Sequence, residues 1–323
     1  MSISWAELSG GIYVNPELSS EARHISAFST RLYDLVTPAA DFFLGRKHGD
    51  TIGFKLFGRI AGTSETALGE FQKVPMATMP QYEVTAQVSR RGIAVPWTGL
   101  REDLDRLSVE DAVIHGLKEH SQRTHEKVIY DALVAGRSGT FVMESGGATF
   151  TTTTNGTVAA TAGAKFSAFA ARQAKLFLTK QNVPFADGTN YLAVVSPTMW
   201  MNFFDDVGVN GYVDVKKYAS GGAEGVMNGE VGTYMGIRYI EDNTTAILPD
   251  AIGTSSLYGS GFFVGADACR EVPVYPMQLL ANTNLSGDFG QQKAIAWLSL
   301  LTYKTVWNHT SHGQGTVWHY TSA

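Results

Sequence analysis

The sequence predicts an α+β fold, and three observations carry that expectation. Two segments of strict period-2 alternation, around 52–60 and 82–88, face each other across a long link. A single capped helix of about 28 residues follows. After it, a helix–strand–helix passage and strongly β-prone C-terminal segments read as a second, compact α/β lobe whose last strands return toward the first. A chain of 323 residues that is 44% hydrophobic and 17% charged can bury a real core, as two lobes or one large domain. Its 34 glycines and 10 prolines favour many turns and strands over a helical bundle.

Charge and cysteine content narrow the class. The 25 Lys and Arg against 30 Asp and Glu leave a formal charge of −5, so no basic field holds nucleic acid non-specifically. The single cysteine, Cys269, excludes an intramolecular disulfide framework and fits a reducing compartment. The N-terminal stretch "MSISWAELSGGIYVNPEL" lacks a basic region followed by an apolar one, and no apolar run reaches the roughly 18 residues of a membrane span. The expectation is a soluble intracellular product.

Taken in order, the first fifty residues look least like a core. "VNPELSSEARHISAFSTRLYDLVTPAADFF" combines polar runs and prolines with scattered apolar residues, which suggests an arm with a short helix around Ser26 to Leu35, resting on another surface. In the hairpin, Ile52, Phe54, Leu56 and Ile60 share one face with Gly58, and Tyr82, Val84, Ala86 and Val88 answer them. The link "AGTSETALGEFQKVPMATMP", Ala61 to Pro80, has neither strand nor helix periodicity. A hairpin loop ordinarily has two to five residues, so a link of about twenty marks a functional loop. A two-stranded ribbon is marginal alone in water, and its partner surface is expected elsewhere, including on another copy of the chain.

"SVEDAVIHGLKEHSQRTHEKVIYDALVAG" opens with Ser108 and Asp111 in capping-box spacing and closes at Gly136. At 1.5 Å per residue it spans roughly 42 Å. Val109, Val113, Leu117, Val128 and Ala132 form a narrow apolar stripe interrupted by His120 and Thr124, as for a helix lying along a sheet. A Gly/Thr-rich passage, "SGGATFTTTTNGTVAATAGA", marks the next boundary, and composition does not decide between strand and loop there. Phe166, Phe169, Ala170 and Phe177 then share one face of an amphipathic helix reaching about Gln181. "YLAVV" reads as a buried strand, with Ser196 and Pro197 as N-cap and first-turn residues of "TMWMNFF". The lobe ends near "VGADACREVP", and "AIAWLSLLTYKTVW" and "TVWHY" are the returning strands.

Candidate chemistry is sparse. Ser196 stands at a strand-to-helix turn, where hydrolase nucleophiles sit, but Val194 and Thr198 occupy the places of the flanking glycines of a nucleophile elbow; a helix cap is the simpler reading. "DDVGVNGYVDVKK" from Asp205 departs from a calcium loop, because Gly208 replaces a ligand and Lys217 stands where the bidentate Glu belongs. His115, His120 and His125 recur every five residues, each step turning about 140° around a helix. They cannot converge on one metal and read as solvated. "GSGFFVG" from Gly259 runs into β-prone residues where a dinucleotide fingerprint would open a helix. Cys269 beside Arg270 has no identified His partner and reads as a small hydrophobe. No acid, base and nucleophile constellation emerges, and neither cofactor nor metal is expected.

Three stretches carry a family resemblance: "VSRRGIAVPWTGLREDL" entering the long helix, "NGEVGTYMGIRYIEDNT" from Asn228, and "GDFGQQKAIAWLSLLTYKTVW" from Gly287. With the order arm, long-tipped hairpin, long helix, compact lobe and returning strands, the chain resembles the major capsid proteins of tailed bacteriophages with the Hong Kong 97-type fold, and most closely their phage N-four-like branch. The resemblance runs roughly from Phe28 to Thr310 and leaves terminal contacts open. It implies an N-terminal arm at 1–48, an extended β-hairpin loop at 49–98, a peripheral domain with the spine helix at 99–160 and 271–323, and an α/β axial domain at 161–270. It also implies a non-enzymatic virion protein that self-assembles in the bacterial cytoplasm into an icosahedral shell. Its partners would be further copies in hexamers and pentamers, scaffold, portal and decoration proteins, and enclosed double-stranded DNA held without sequence-specific binding and without a membrane. On that reading the link meets a neighbouring subunit, with Glu65, Glu70 and Lys73 as polar contacts, and the acidic balance keeps packaged DNA off the wall. Two alternatives stay open: a cellular nanocompartment (encapsulin-like) shell protein of the same fold, and a soluble hydrolase using Ser196 or Cys269.

Overall fold

The computed structural model describes residues 31–38, 50–58, 60, 67–105, 108–143, 150–153, 165–206, 232–244, 247–250, 252, 256, 258–282, 291–307 and 315–321. A 3-10 turn at Leu32–Leu35 leads into β1 (Val36–Pro38), the ribbon strands β2 (Thr51–Phe57) and β3 (Gln81–Gln87), and β4 (Ser89–Thr98). Helices α1 (Gly99–Leu104) and α2 (Val109–Gly136) precede β5 (Gly139–Met143) and β6 (Phe150–Thr153). There follow α3 (Ala168–Lys180), β7 (Tyr191–Val195), α4 (Pro197–Phe204), β8 (Thr233–Tyr234), β9 (Ile237–Glu241) and β10 (Gly261–Val264). The chain closes with the long strands β11 (Cys269–Asn282) and β12 (Gln292–Thr305) and the short β13 (Val317–Tyr320). The α+β class expected from the sequence is therefore the observed one.

The chain divides into two compact units. Among the described residues, the smaller holds Gly92–Ser121 and Met277–Leu298. Its core is Trp97, Val109, Leu117, Ile295 and Trp297, with Val113, Ile114, Met277 and Leu279 packed against it. Both indoles find acceptors, as buried tryptophans require: Trp97 Nε1 donates to Glu102 Oε2 at 3.0 Å and Trp297 Nε1 to His120 Nδ1 at 3.1 Å. Lys293 Nζ reaches the same Glu102 oxygen at 2.8 Å.

The larger unit is built on a seven-stranded sheet in the order β6-β5-β13-β10-β7-β9-β8. β10 is antiparallel to both β13 and β7, while β13–β5 and β7–β9 are parallel. Its central strands are buried on both faces, so "GFFV" is buried at every position, as a continuous apolar run demands. Alternation sends Phe263, Ala193 and Trp318 to one face and Phe262, Val194 and Val317 to the other. On the first face α3 lies on the sheet through Ala170, Ala171 and Ala174, all fully buried. Phe166 makes an edge contact with Tyr320 at 5.0 Å there. On the second, Ile129 and Leu133 of α2 pack with Leu32, Leu35, Ile247 and Leu248. A second sheet has the order β1-β11-β12-β4, with β1 parallel to β11 and Val36 opposite Cys269.

The ribbon pairs Ile52 with Ala86, Phe54 with Val84 and Leu56 with Tyr82, bringing the two expected apolar faces to one side. Its apolar face is covered within the chain: Ile52, Phe54, Leu56 and Ala86 cluster with Val272 and Val306. The partner surface expected elsewhere is thus found, for the base of the ribbon, within the same chain. Ile60, expected on the same face, is 55% exposed.

The long helix spans the 28 residues expected and is capped as expected, Asp111 N donating to Ser108 Oγ at 3.2 Å. Its inward stripe departs from the sequence reading in the second half. The buried row continues in steps of four from Leu117 through Ser121, Ile129 and Leu133, with His125 between them half-buried, as are Val128 and Ala132. Steps of four advance 400° and so drift about 40° each, which winds the buried row around so long a helix. His125 lies in this row, its Nε2 3.1 Å from Ser299 Oγ; it is not solvated.

Candidate self-assembly surface

The ribbon closes where Gly58 N donates to Pro80 O at 2.8 Å. Beyond that bond, every residue from 67 to 79 is exposed. A single turn organises the segment: Gln72 N donates to Gly69 O at 3.0 Å, and Gly69 N donates to Gln72 Oε1 at 3.3 Å. Pro75, which has no N–H to offer a ladder, and the missing alternation explain why no strand extends into it. The apolar side chains here bury almost nothing. Phe71 is 95% exposed, Val74 71% and Met76 fully exposed. Full burial of each would contribute about 1.5–3 kcal/mol, and within the subunit that contribution is forgone. Glu70 and Lys73 are exposed beside them; Glu65 lies outside the described residues. The sequence points to the charges of this tip; the meaning of its apolar members Phe71, Val74 and Met76 comes from their exposure.

A second apolar surface lies in the smaller unit, a cavity of about 520 Å³ lined by Ile93, Val95, Trp97, Val109, Val113 and Leu117 among others. Leu100 and Leu104 of α1 are 70% and 68% exposed.

The two candidate nucleophiles are built into the core. Ser196 caps α4, its buried Oγ accepting from Met199 N at 3.4 Å and from Ser260 N at 3.1 Å. Cys269 is fully buried, and burial pushes its thiol up to about 12. Arg270 does not activate it, because the guanidinium is engaged bidentately by Asp267 at 2.6 and 2.8 Å. The "GSGFFVG" glycines lead into β10, and the calcium-like passage beyond Asp206 lies outside the described residues. Among the described residues no group of three His, Cys, Asp or Glu could hold a metal ion, and no helix is long and apolar enough to cross a membrane.

One feature of the larger unit had no sequence signal. Glu126 of α2 and Asp242, just after β9, are 2% and 1% exposed. Burial holds both carboxyl groups above their usual range, Glu126 at about 7 with the nearby Asp242 charge adding to the effect.

No protein-family model and no curated protein matches the chain. Solved structures do. A capsid structure of Helicobacter pylori bacteriophage KHP30, described as acidic stable, superposes with a TM-score of 0.70 at 11% identity, covering 100% of this chain and 99% of that one. The capsid asymmetric unit of cyanophage Pam1 gives 0.69 at 14% identity over 100% and 99%. A structure of Mycobacterium phage Che8 gives 0.64 at 16% identity over 96% and 97%. The chain thus has the fold of these phage proteins from end to end, the Hong Kong 97-type architecture that its sequence resembles.

Proposed function

We propose that this chain is the major capsid protein of a tailed double-stranded DNA bacteriophage, assembling with copies of itself into an icosahedral shell around the genome. The observation that carries the reading is the tip at 67–79: an ordered turn displaying Phe71, Val74 and Met76 to solvent, on a fold shared along its whole length with phage capsid proteins. A subunit that leaves such side chains bare has an interface to complete. Many small copies of one interface, each weak, close a shell collectively.

The division into arm (1–48), extended loop (49–98), peripheral domain (99–160 and 271–323) and axial domain (161–270) belongs to the same proposal. So do Glu65, Glu70 and Lys73 as polar intersubunit contacts, assembly in the host cytoplasm, and scaffold, portal and decoration partners. The reading gives the chain a structural rather than a catalytic role. The burial of Ser196 and Cys269 supports this against a hydrolase.

Negative-stain microscopy of the purified protein, with light scattering, tests it. Closed particles or capsomers are expected. A 34.9 kDa species at every concentration and salt would refute self-assembly, and particles isolated from the native source with protein cargo in place of DNA would turn the reading to a nanocompartment shell.

A further inference from the structure

The 3-10 turn Leu32–Leu35 is fastened to α2 in an unusual way. Leu32 and Leu35 are buried beside Ile129 and Leu133, and the Tyr33 amide donates to Glu126 Oε1 at 3.3 Å. The Leu32 amide also favours the ionised form of this carboxyl group. Its other oxygen, Oε2, is buried and has no hydrogen-bond partner. Asp242 repeats the pattern: Oδ1 accepts from Thr244 N at 2.9 Å, while the buried Oδ2 has none. Two buried carboxyl groups, each with a bare oxygen, with the Asp242 charge disfavouring ionised Glu126, oppose simultaneous ionisation.

We propose that this cluster is a proton-controlled latch: a proton on Glu126 holds the Leu32–Leu35 turn closed on the long helix, and its loss, leaving two buried carboxylates together, frees the turn.

The surrounding groups divide: burial and the neighbouring carboxylates favour the proton on Glu126, while the Tyr33 amide favours its ionised form and Arg31 the ionised form of Asp242. From the turn itself come Asp34, which adds negative charge near Glu126, and Arg31, 3.9 Å from Asp34 and also favouring ionised Asp242. From β11 comes Glu271, which accepts from the Tyr33 hydroxyl at 3.2 Å and whose carboxyl burial also raises. From β12 comes Tyr303, held neutral by burial and by the Glu271 charge. On α2 itself stands His125, whose affinity for a proton burial and Arg91 lower. Arg31 is thus the only cation on the turn, and it is shared with Asp34.

The sign follows from proton linkage. Opening the turn returns Glu126 to water and to its ordinary value near 4.5, while the closed form titrates at about 7. The closed form therefore binds more protons between these limits, so the latch is fully stabilised below the lower value and loses that stabilisation as pH rises through the upper one. The latch is a property of a single chain and does not depend on whether shells form.

Hydrogen exchange of the Leu32–Leu35 amides in the full-length protein, corrected for intrinsic exchange, tests it. Protection should fall at least tenfold, about one pKa unit's worth, between pH 5 and pH 8. Glu126→Gln, which is uncharged at every pH, should keep high protection throughout, and Asp242→Asn should move the midpoint to lower pH. Protection independent of pH in the native chain, or an unaltered pH dependence in Glu126→Gln, would overturn the proposal. Should Glu126→Gln not fold, an unchanged midpoint in Asp242→Asn overturns it equally.

Discussion

Phe54 and Val84 stand directly opposite each other in the ribbon, with Phe54 only 2% exposed in a cluster supplied by Val272 and Val306. Fourteen residues beyond the last paired residue of β2, Phe71 lies bare. The ribbon is thus anchored at its base by its own chain and unsatisfied at its tip, and the two halves should respond differently to mutation.

Phe54→Ala should destabilise the subunit by about 3–5 kcal/mol, the usual cost of emptying a packed aromatic site. Phe71→Ser, which removes no contact within the chain, should stay within about 0.5 kcal/mol. Chemical denaturation of the two dissociated subunits checks the contrast.

Ser196→Ala should cost about 1–3 kcal/mol. The reason is more than a lost helix cap, since the hydroxyl serves two buried amides, those of Met199 and Ser260, and both would be left unpaired. A denaturation midpoint reads this directly. Any enzymatic turnover that vanished in this variant with its stability unchanged would count against the structural assignment.

The Cys269 thiol, buried and held at about 12, should resist alkylation at pH 8 in the native protein and react only after unfolding. Mass spectrometry after a timed iodoacetamide pulse gives the answer, and rapid modification of the folded chain would contradict the burial argument.

His319 contributes to the acid side of the stability curve. Its ring stacks on Phe262 at 4.3 Å, neither nitrogen has a hydrogen-bond partner, and burial pulls its pKa down to about 3. A group so depressed stabilises the fold above its ordinary value of 6.5, and that stabilisation is lost as pH falls toward the folded value. His319→Phe should therefore shift acid unfolding, followed by circular dichroism, to lower pH. An unchanged or raised midpoint would refute the linkage.

Much of this was legible in the sequence because it follows from local rules. The period-2 runs gave the ribbon its register, Ser108 and Gly136 bounded the long helix, and Ser196–Pro197 announced α4. What escaped depends on tertiary surroundings. The inward face of α2 takes in Ser121 and His125 as well as Val128 and Ala132, and a search for apolar periodicity steps over the polar pair. Glu126 was invisible for the same reason: nothing in the chain tells that a glutamate will be sealed beside Asp242, more than a hundred residues away. The apolar tip was missed in a different way, since an exposed Phe71 has meaning only once the structure shows that the subunit offers it nothing to pack on.

The most direct test of the account is sedimentation velocity of the native chain beside a variant in which residues 59–79 are replaced by an Asn-Gly turn joining Gly58 and Pro80, whose backbones are already hydrogen-bonded across the ribbon. The account predicts large particles for the native chain and only subunits or small capsomers for the variant, with the same circular dichroism spectrum. Variant particles of native size and stability would contradict the intersubunit role of the tip, and an unfolded variant would show that the tip belongs to the subunit's own core.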